Sequence, residues 1–166
     1  MDDVEGVDIL QLINNQDSEP ATQVIVSQRL ADTTGVVIQG SELTDALNID
    51  FANPFSLENG IRFLDSFFGD ADTLKVTGKS NTWRLTGQDQ GGVDASIEAS
   101  GVAFDGVENL FGGDYQDTFA LEPGAGISGA VDGGAGDDLL IGPDADTEWR
   151  ILGMDAGQAA GVVFSG

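Results

Sequence analysis

The sequence predicts an all-β protein built as a parallel β-solenoid, with a less regular N-terminal segment that contains a short helix. Three observations lead to this prediction. Glycine is concentrated after residue 59, where 21 of the 24 glycines lie. Apolar residues in that region come in pairs two positions apart, and one segment repeats with an offset of 66 residues. This combination is typical of chains that add one brief strand per turn to a growing sheet.

The N-terminal segment, residues 1–40, has a different pattern. The apolar residues near its start fit one face of a short helix: Val7, Ile9, Leu10 and Ile13. Val24–Val26 and Val36–Ile38 are short β-prone runs. We therefore expect an irregular segment or cap here, with the solenoid spanning residues 41–166.

The solenoid region alternates short apolar pairs with glycine, which supplies turns that need a positive φ. Two inward residues define a very short strand. An unpaired sheet edge at the start of the solenoid needs a cover, and we expect Phe67 and Phe68 to contribute to it. The apolar pairs are Leu74 and Val76, Trp83 and Leu85, Val102 and Phe104, Trp149 and Ile151, and Val162 and Phe164.

The long repeat aligns residues 72–87 with residues 138–153 without gaps, and Asp, Leu, Trp, Arg and the final Gly coincide. Downstream, GVAFDG at 101–106 matches GVVFSG at 161–166 after a deletion of six residues. The second copy stops within the motif. We therefore expect the sequence to belong to a longer array, in which neighbouring repeats are its partners.

Composition excludes several kinds of site. The 166 residues include 29 acidic and 6 basic side chains, giving a formal net charge of -23, with no Cys and no His. The chain lacks the basic face that nucleic acid requires, and no segment has the length of a membrane helix. Thiolate and imidazole chemistry are absent as well. Carboxylates and carbonyls remain, which are the ligands of hard cations such as Ca²⁺.

Two glycine-rich segments carry a candidate cation motif, G-G-x-G-x-D-x-U-x, in which U is a large apolar residue. Residues 133–141 fit it fully and residues 112–120 fit it with Tyr115 in place of the third glycine. The glycines permit a tight turn that aims carbonyls inward, and the aspartate adds a carboxylate. The candidate metal-site residues are Gly112, Gly113, Asp117, Gly133, Gly134, Gly136 and Asp138.

The GGAGDDLLI segment resembles the hemolysin-type (RTX) calcium-binding nonapeptide, and the wider GVENLFGGDYQDTFAL pattern resembles repeats of large bacterial secreted or surface adhesins. The resemblance implies a β-roll or β-solenoid, an extracellular or cell-surface location, and folding assisted by Ca²⁺. In that family the nonapeptides run in tandem and loops about 18 residues apart share an ion. Here Asp117 and Asp138 are 21 residues apart. Either one bound ion or a purely structural turn fits this spacing.

We therefore expect a non-catalytic structural or adhesive module. The alternative is a carbohydrate-binding or carbohydrate-active β-helix that uses Trp83 and Trp149, although core positions for these residues are the simpler interpretation. Acidic pairs such as Asp70 with Asp72 could serve acid–base chemistry. Such pairs are common in so acidic a chain, so we expect no enzyme.

Overall fold

The structure, a computed structural model, describes residues 9–13, 24–65, 70–94 and 101–166. Within these ranges the chain is all-β, with one 3-10 turn at Leu30–Asp32 and no α-helix. None of the described residues forms a helix long and apolar enough to cross a membrane. The strands are β1 Ile9–Ile13, β2 Val24–Arg29, β3 Val36–Gln39, β4 Ala46–Asp50, β5 Ile61–Leu64, β6 Thr73–Thr77, β7 Thr82–Gly87, β8 Gln90–Val93, β9 Val102–Asp105, β10 Asn109–Gly113, β11 Thr118–Leu121, β12 Ala130–Gly134, β13 Leu139–Ile141, β14 Trp149–Gly153, β15 Ala156–Ala159 and β16 Val162–Ser165.

Two seven-stranded, mostly parallel sheets contain all of these strands except β1 and β2. Sheet I has the order β13-β11-β7-β8-β9-β5-β3, and sheet II has the order β14-β15-β16-β12-β10-β6-β4. Only β8 and β15 run antiparallel to their neighbours in these sheets. The chain alternates between the sheets from β3 onward and stays in one sheet only at β7–β9 and at β14–β16.

The apolar pairs explain the strands. Side chains of a strand alternate between its two faces, so two apolar residues two apart point to the same side. The parallel register then stacks them in rows: Leu74 lies beside Leu47 on one neighbouring strand and beside Leu110 on the other. On sheet I, Trp83 lies beside Phe119. These rows from both sheets form a single buried apolar cluster.

The two segments that align in the sequence adopt the same local structure. Strands β7–β9 and β14–β16 each form a three-stranded antiparallel meander. The first turns contain Asp89 and Asp155, with φ values of 53° and 54°. The second turns begin at Asp94 and Ala160, with φ values of 50° and 52°. The first meander belongs to sheet I and the second to sheet II, so a shift by one repeat exchanges the sheets.

The short N-terminal helix is a wrong prediction. Ile9–Ile13 form strand β1, which pairs antiparallel with β2 in a separate two-stranded sheet. Isolated helices need about 12–15 residues to be stable, whereas a short β-branched segment gains backbone hydrogen bonds from a neighbouring strand. Val7, Phe67 and Phe68 lie outside the described residues. Strand β3 precedes residue 41 and pairs with β5 in sheet I.

Candidate metal centre

Acidic residues stand immediately before three neighbouring strands of sheet II. Asp45 precedes β4, Asp72 precedes β6 and Glu108 precedes β10. Asp72 Oδ1 accepts a hydrogen bond from the backbone N–H of Asp45 at 2.8 Å, and Glu108 Oε2 accepts one from the backbone N–H of Asp72 at 2.8 Å. The carboxylates of Asp72 and Glu108 therefore each tie the start of their own strand to the start of a neighbouring strand.

The connection from β5 to β6 brings three carboxylates together. Asp65 directly follows β5, while Asp70 and Asp72 come just before β6. One carboxylate oxygen from each lies within 4.8 Å of the others. Gly40 leaves room for this arrangement, because a β-carbon there would lie 2.9 Å from Asp65 Oδ1. The backbone also fixes Asp65, whose N–H donates to the Asp105 carbonyl at 2.8 Å.

This aspartate cluster (Asp65, Asp70 and Asp72) is largely closed to solvent. Asp72 is 0% exposed and Asp65 is 7% exposed. Asp72 Oδ2 and both carboxylate oxygens of Asp70 are buried and have no hydrogen-bond partner. An ionised oxygen in that position loses its hydration without a compensating hydrogen bond, and this desolvation costs on the order of several kcal/mol of folding free energy.

Burial raises the pKa of Asp72, and the negative charges of Asp65, Asp70 and Asp45 raise it further, against the opposing hydrogen bond from the Asp45 N–H. Lys79 pairs with Asp94 and Arg84 pairs with Glu122, so neither of these two cations neutralises Asp70 or Asp72. A bound cation would supply the missing positive charge.

The donor set suits a hard divalent ion. Ca²⁺ takes six to eight oxygen ligands at about 2.3–2.6 Å, so two oxygens on the same ion are separated by up to about 5 Å. The aspartate cluster satisfies that spacing with three carboxylates. It contains no soft ligand that would favour zinc or copper.

The glycine-rich turns predicted from the sequence lie at the other connections of the sheets. Gly112 and Gly113 are the last residues of β10, and the turn that follows leads to Asp117, directly before β11. Asp117 Oδ1 accepts the backbone N–H of Asn81 at 2.7 Å. Burial raises the pKa of Asp117, and the nearby charges of Asp138 and Asp94 add to this effect.

The next turn, from β12 to β13, stacks on the first. Gly133 and Gly134 end β12, and the turn after them contains Gly136 and leads to Asp138. Asp138 Oδ1 accepts a hydrogen bond from the backbone N–H of Asp117 at 2.8 Å. A β-carbon at Gly133 would overlap Asp138 Oδ2, just as one at Gly112 would overlap Asp117 Oδ2. Gly113, Gly134 and Gly136 have φ values of 139°, 93° and 132°. Glycine is therefore needed at these turns for steric reasons alone.

The structure thus brings the predicted aspartates into contact through hydrogen bonds between stacked turns. Asp117 Oδ2 and Asp138 Oδ2 remain buried without a partner. Among the described residues, however, only the aspartate cluster joins three carboxylates. Calcium binding by the glycine-rich turns stays a prediction.

The sequence indicates the aspartate cluster only in part. Asp70 and Asp72 form an acidic pair, Asp72 begins the long repeat, and residues 68–74 are a degenerate echo of the nonapeptide, whereas Asp65 belongs to no motif. The signal that could have found them is an aspartate that ends one strand together with an Asp-x-Asp that begins the next.

The two tryptophans differ in exposure. Trp83 is 0% exposed and stacks on Phe119 with a centroid distance of 5.2 Å, so it is inaccessible to a sugar. Trp149 is 44% exposed and contacts Phe164 edge-on at 6.3 Å. The chain matches no protein-family model, no curated protein and no solved structure.

Proposed function

We propose that the chain is a non-catalytic structural module, a parallel β-solenoid in which Ca²⁺ bound by Asp65, Asp70 and Asp72 fastens the connection between β5 and β6. One observation carries the proposal. Two buried aspartates, Asp65 and Asp72, and the half-buried Asp70 bring their carboxylates within 4.8 Å of one another, and Asp72 Oδ2 and both oxygens of Asp70 are buried without a hydrogen-bond partner. Three negative charges in this position are stable when a multivalent cation joins them.

The choice of Ca²⁺ follows from ligand chemistry. Mg²⁺ demands near-ideal octahedral geometry at about 2.0–2.1 Å and keeps several of its waters. A cluster closed to solvent, with Asp72 0% exposed, offers those waters little room. Ca²⁺ accepts irregular coordination, so it tolerates the positions of these three carboxylates better than Mg²⁺ does.

The solenoid and the setting of the module are part of the proposal. The alternation of the chain between two mostly parallel sheets supports a solenoid, because each return to a sheet adds a strand beside the previous one. The resemblance of residues 133–141 to the RTX nonapeptide supports a place in a long secreted or surface-displayed bacterial protein. Extracellular calcium sites are weak, with dissociation constants of about 10⁻⁴–10⁻³ M.

Calcium acts in this proposal by coupling binding to folding. Ligand that binds only the folded state stabilises it by RT ln(1 + [L]/Kd). At 10 mM Ca²⁺ and the dissociation constants above, the free energy of unfolding rises by about 1.4–2.7 kcal/mol. A chain of this length shifts its melting temperature by roughly 2–4 °C per kcal/mol, so the expected rise is roughly 3–11 °C.

The test is thermal unfolding followed by circular dichroism in EDTA and in 10 mM CaCl₂ at matched ionic strength. Asp70→Asn removes one negative charge from the proposed ligand set, and the Asp70 carboxylate accepts no hydrogen bond that the substitution would break. The matched control is Asp144→Asn, which removes the same charge at an exposed position. We expect Ca²⁺ to stabilise the wild type and the control equally, and Asp70→Asn by less than about a third as much.

Two results would contradict the proposal. One is an equal melting temperature of the wild type in EDTA and in Ca²⁺. The other is a calcium response that survives in Asp70→Asn but disappears in Asp138→Asn, since the glycine-rich turns would then be the site.

A further inference from the structure

A groove of about 840 Å³ lies between four described segments of the chain. Two of them connect sheet I to sheet II, namely residues 122–129 between β11 and β12 and residues 142–148 between β13 and β14. The other two are the β7–β8 turn and the β15–β16 turn. Ligand sites of proteins commonly have volumes of about 300–1,000 Å³, so the groove has the size of a binding site.

The groove has an apolar floor and an acidic rim. Ala125 and Ile127 line it and belong to the buried apolar cluster. Its rim carries the carboxylates of Asp89, Asp146 and Glu148, and none of the described residues that line the groove is basic or aromatic. A sugar ring therefore finds no aromatic surface on which to stack, and an anionic ligand is repelled.

The long repeat identifies the corresponding place in the first copy. The alignment pairs Lys79 with Ala145 and Asn81 with Thr147. The Asn81 side chain donates a hydrogen bond to the Lys79 carbonyl at 3.0 Å. In the second copy the Thr147 hydroxyl donates to the Ala145 carbonyl at 3.0 Å. The two connections are therefore equivalent in local structure as well as in sequence.

A lysine side chain occupies this place in the first copy. Lys79 Nζ pairs with Asp94 Oδ2 at 2.5 Å and lies 4.7 Å from the centroid of the Phe51 ring. Asp94 begins the β8–β9 turn, and Phe51 directly follows β4. The counterparts of these two segments are the β15–β16 turn and the segment after β11, since β4 pairs with β6 as β11 pairs with β13. Both counterparts are walls of the groove.

The second copy lacks both members of this ion pair. Ala145 stands in the place of Lys79, and Ala160 stands in the place of Asp94. Both alanines line the groove. The space that a lysine stem occupies in the first copy is therefore open in the second.

The charge beside the groove changes in the same comparison. Asp146 and Glu148 stand where the first copy has Ser80 and Thr82. Asp89 contributes a third carboxylate from the β7–β8 turn. The second copy thus combines the loss of an internal cation with a gain of negative charge around the vacated space.

We propose that this groove binds a lysine or arginine side chain of a partner protein, carried on an extended segment with apolar neighbours. The aliphatic stem of the cation lies along Ala145 and Ala160, and its charged head lies among the three rim carboxylates. The apolar floor accepts a neighbouring apolar side chain of the same segment. The formal charge of -23 attracts such a segment from a distance. The aspartate cluster takes no part, so the proposal is independent of calcium binding.

Fluorescence anisotropy of a labelled heptapeptide, SVKVKVS, tests the proposal in 0.15 M NaCl with EDTA. Ala145→Lys restores the lysine of the first copy and fills the groove from within. Ala135→Lys adds the same charge in the exposed β12–β13 turn, outside the groove, and is the matched control. We expect the dissociation constant of the peptide to rise at least about tenfold in Ala145→Lys and less than about twofold in Ala135→Lys.

A second pair of variants keeps the shape of the groove. Glu148→Gln removes one rim carboxylate and should weaken binding by about three- to tenfold, whereas Asp144→Asn, in the same connection but outside the groove, should change it by less than about twofold. The uncharged peptide SVQVQVS should bind at least about tenfold more weakly than SVKVKVS.

Four results would overturn the proposal. Equal losses of affinity in Ala145→Lys and Ala135→Lys would show that the peptide responds only to net charge. Equal affinity for SVKVKVS and SVQVQVS would show that the cation is not recognised. Competition by spermidine as strong as that by unlabelled SVKVKVS would identify a free polyamine as the ligand instead of a protein segment. The fourth result is a wild type that does not bind SVKVKVS at concentrations up to about 1 mM.

Discussion

Replacing the two equivalent tryptophans by alanine gives a sharp test of the packing. Trp83 and Trp149 occupy the same repeat position and differ in cover, with exposures of 0% and 44%. Trp83 contacts Phe119 at 5.2 Å and Phe104 at 6.5 Å between ring centroids, whereas Trp149 contacts only Phe164 among aromatic side chains of the described residues.

The expected loss of stability differs accordingly. Truncation of a buried aromatic residue costs about 3–5 kcal/mol through lost transfer free energy and the cavity left behind. Trp83→Ala should therefore lower the melting temperature by roughly 6–20 °C. About half of the Trp149 side chain already faces solvent, and its surroundings can collapse, so Trp149→Ala should cost about 1–2 kcal/mol.

Urea unfolding, followed by circular dichroism at low protein concentration, gives the free energy of unfolding of both variants. The Trp83 Nε1 donor is buried without a partner, and Trp83→Phe removes this unsatisfied donor. Trp83→Phe should therefore lower the free energy of unfolding less than Trp83→Ala does. The difference should exceed the one expected from the apolar area that each substitution removes. Equal losses for Trp83→Ala and Trp149→Ala, or a loss below about 1 kcal/mol for Trp83→Ala, would refute the packing described for β7.

Two further predictions concern the glycine-rich turn and pH. Gly112→Ala should lower the free energy of unfolding by at least about 2 kcal/mol, because the added β-carbon overlaps Asp117 Oδ2. Gly153→Ala is the control and should be nearly neutral, since its β-carbon meets only Ala156 at 4.0 Å. Equal urea midpoints for the two variants would contradict this prediction. In EDTA, stability should rise as pH falls from neutrality toward 3.8, the ordinary pKa of an aspartate, because burial raises the pKa of Asp117 and the folded state then binds more protons than the unfolded state. Asp117→Asn should flatten this pH dependence of the urea midpoint, and an unchanged slope would refute the assignment.

Local pattern was enough to locate most of the strands. The pair Leu74 and Val76 lies on β6, and Trp83 and Leu85 lie on β7. Two apolar residues two apart define an inward face regardless of which strand comes to lie beside it, so the strand could be recognised without its partners.

The order of the strands within the sheets could not be predicted from the sequence. The β7–β9 meander depends on an antiparallel return at Asp89, and the same motif recurs in the other sheet at Asp155. A residue pattern of period two is the same for parallel and antiparallel pairing. The β1 strand was mistaken for a helix because short apolar runs fit both periods.

In the candidate site, too, the residues set by local spacing could be predicted and the residues brought together by the fold could not. The motif identified Asp117 and Asp138, whose positions before β11 and β13 follow from local spacing. Asp65 meets Asp70 and Asp72 only in the folded structure, where one carboxylate oxygen of each lies within 4.8 Å of the others and where Asp65 and Asp72 are buried. Neither this proximity nor this burial is encoded in a short pattern.

A crystal grown in the presence of Tb³⁺, which replaces Ca²⁺ at oxygen sites and scatters anomalously, tests the central claim most directly. The account predicts an anomalous peak within about 2.3–2.6 Å of carboxylate oxygens from Asp65, Asp70 and Asp72. It also predicts the loss of that peak in Asp70→Asn. Ordered Tb³⁺ peaks confined to the turns at Asp117 and Asp138, with none at the aspartate cluster, would contradict it.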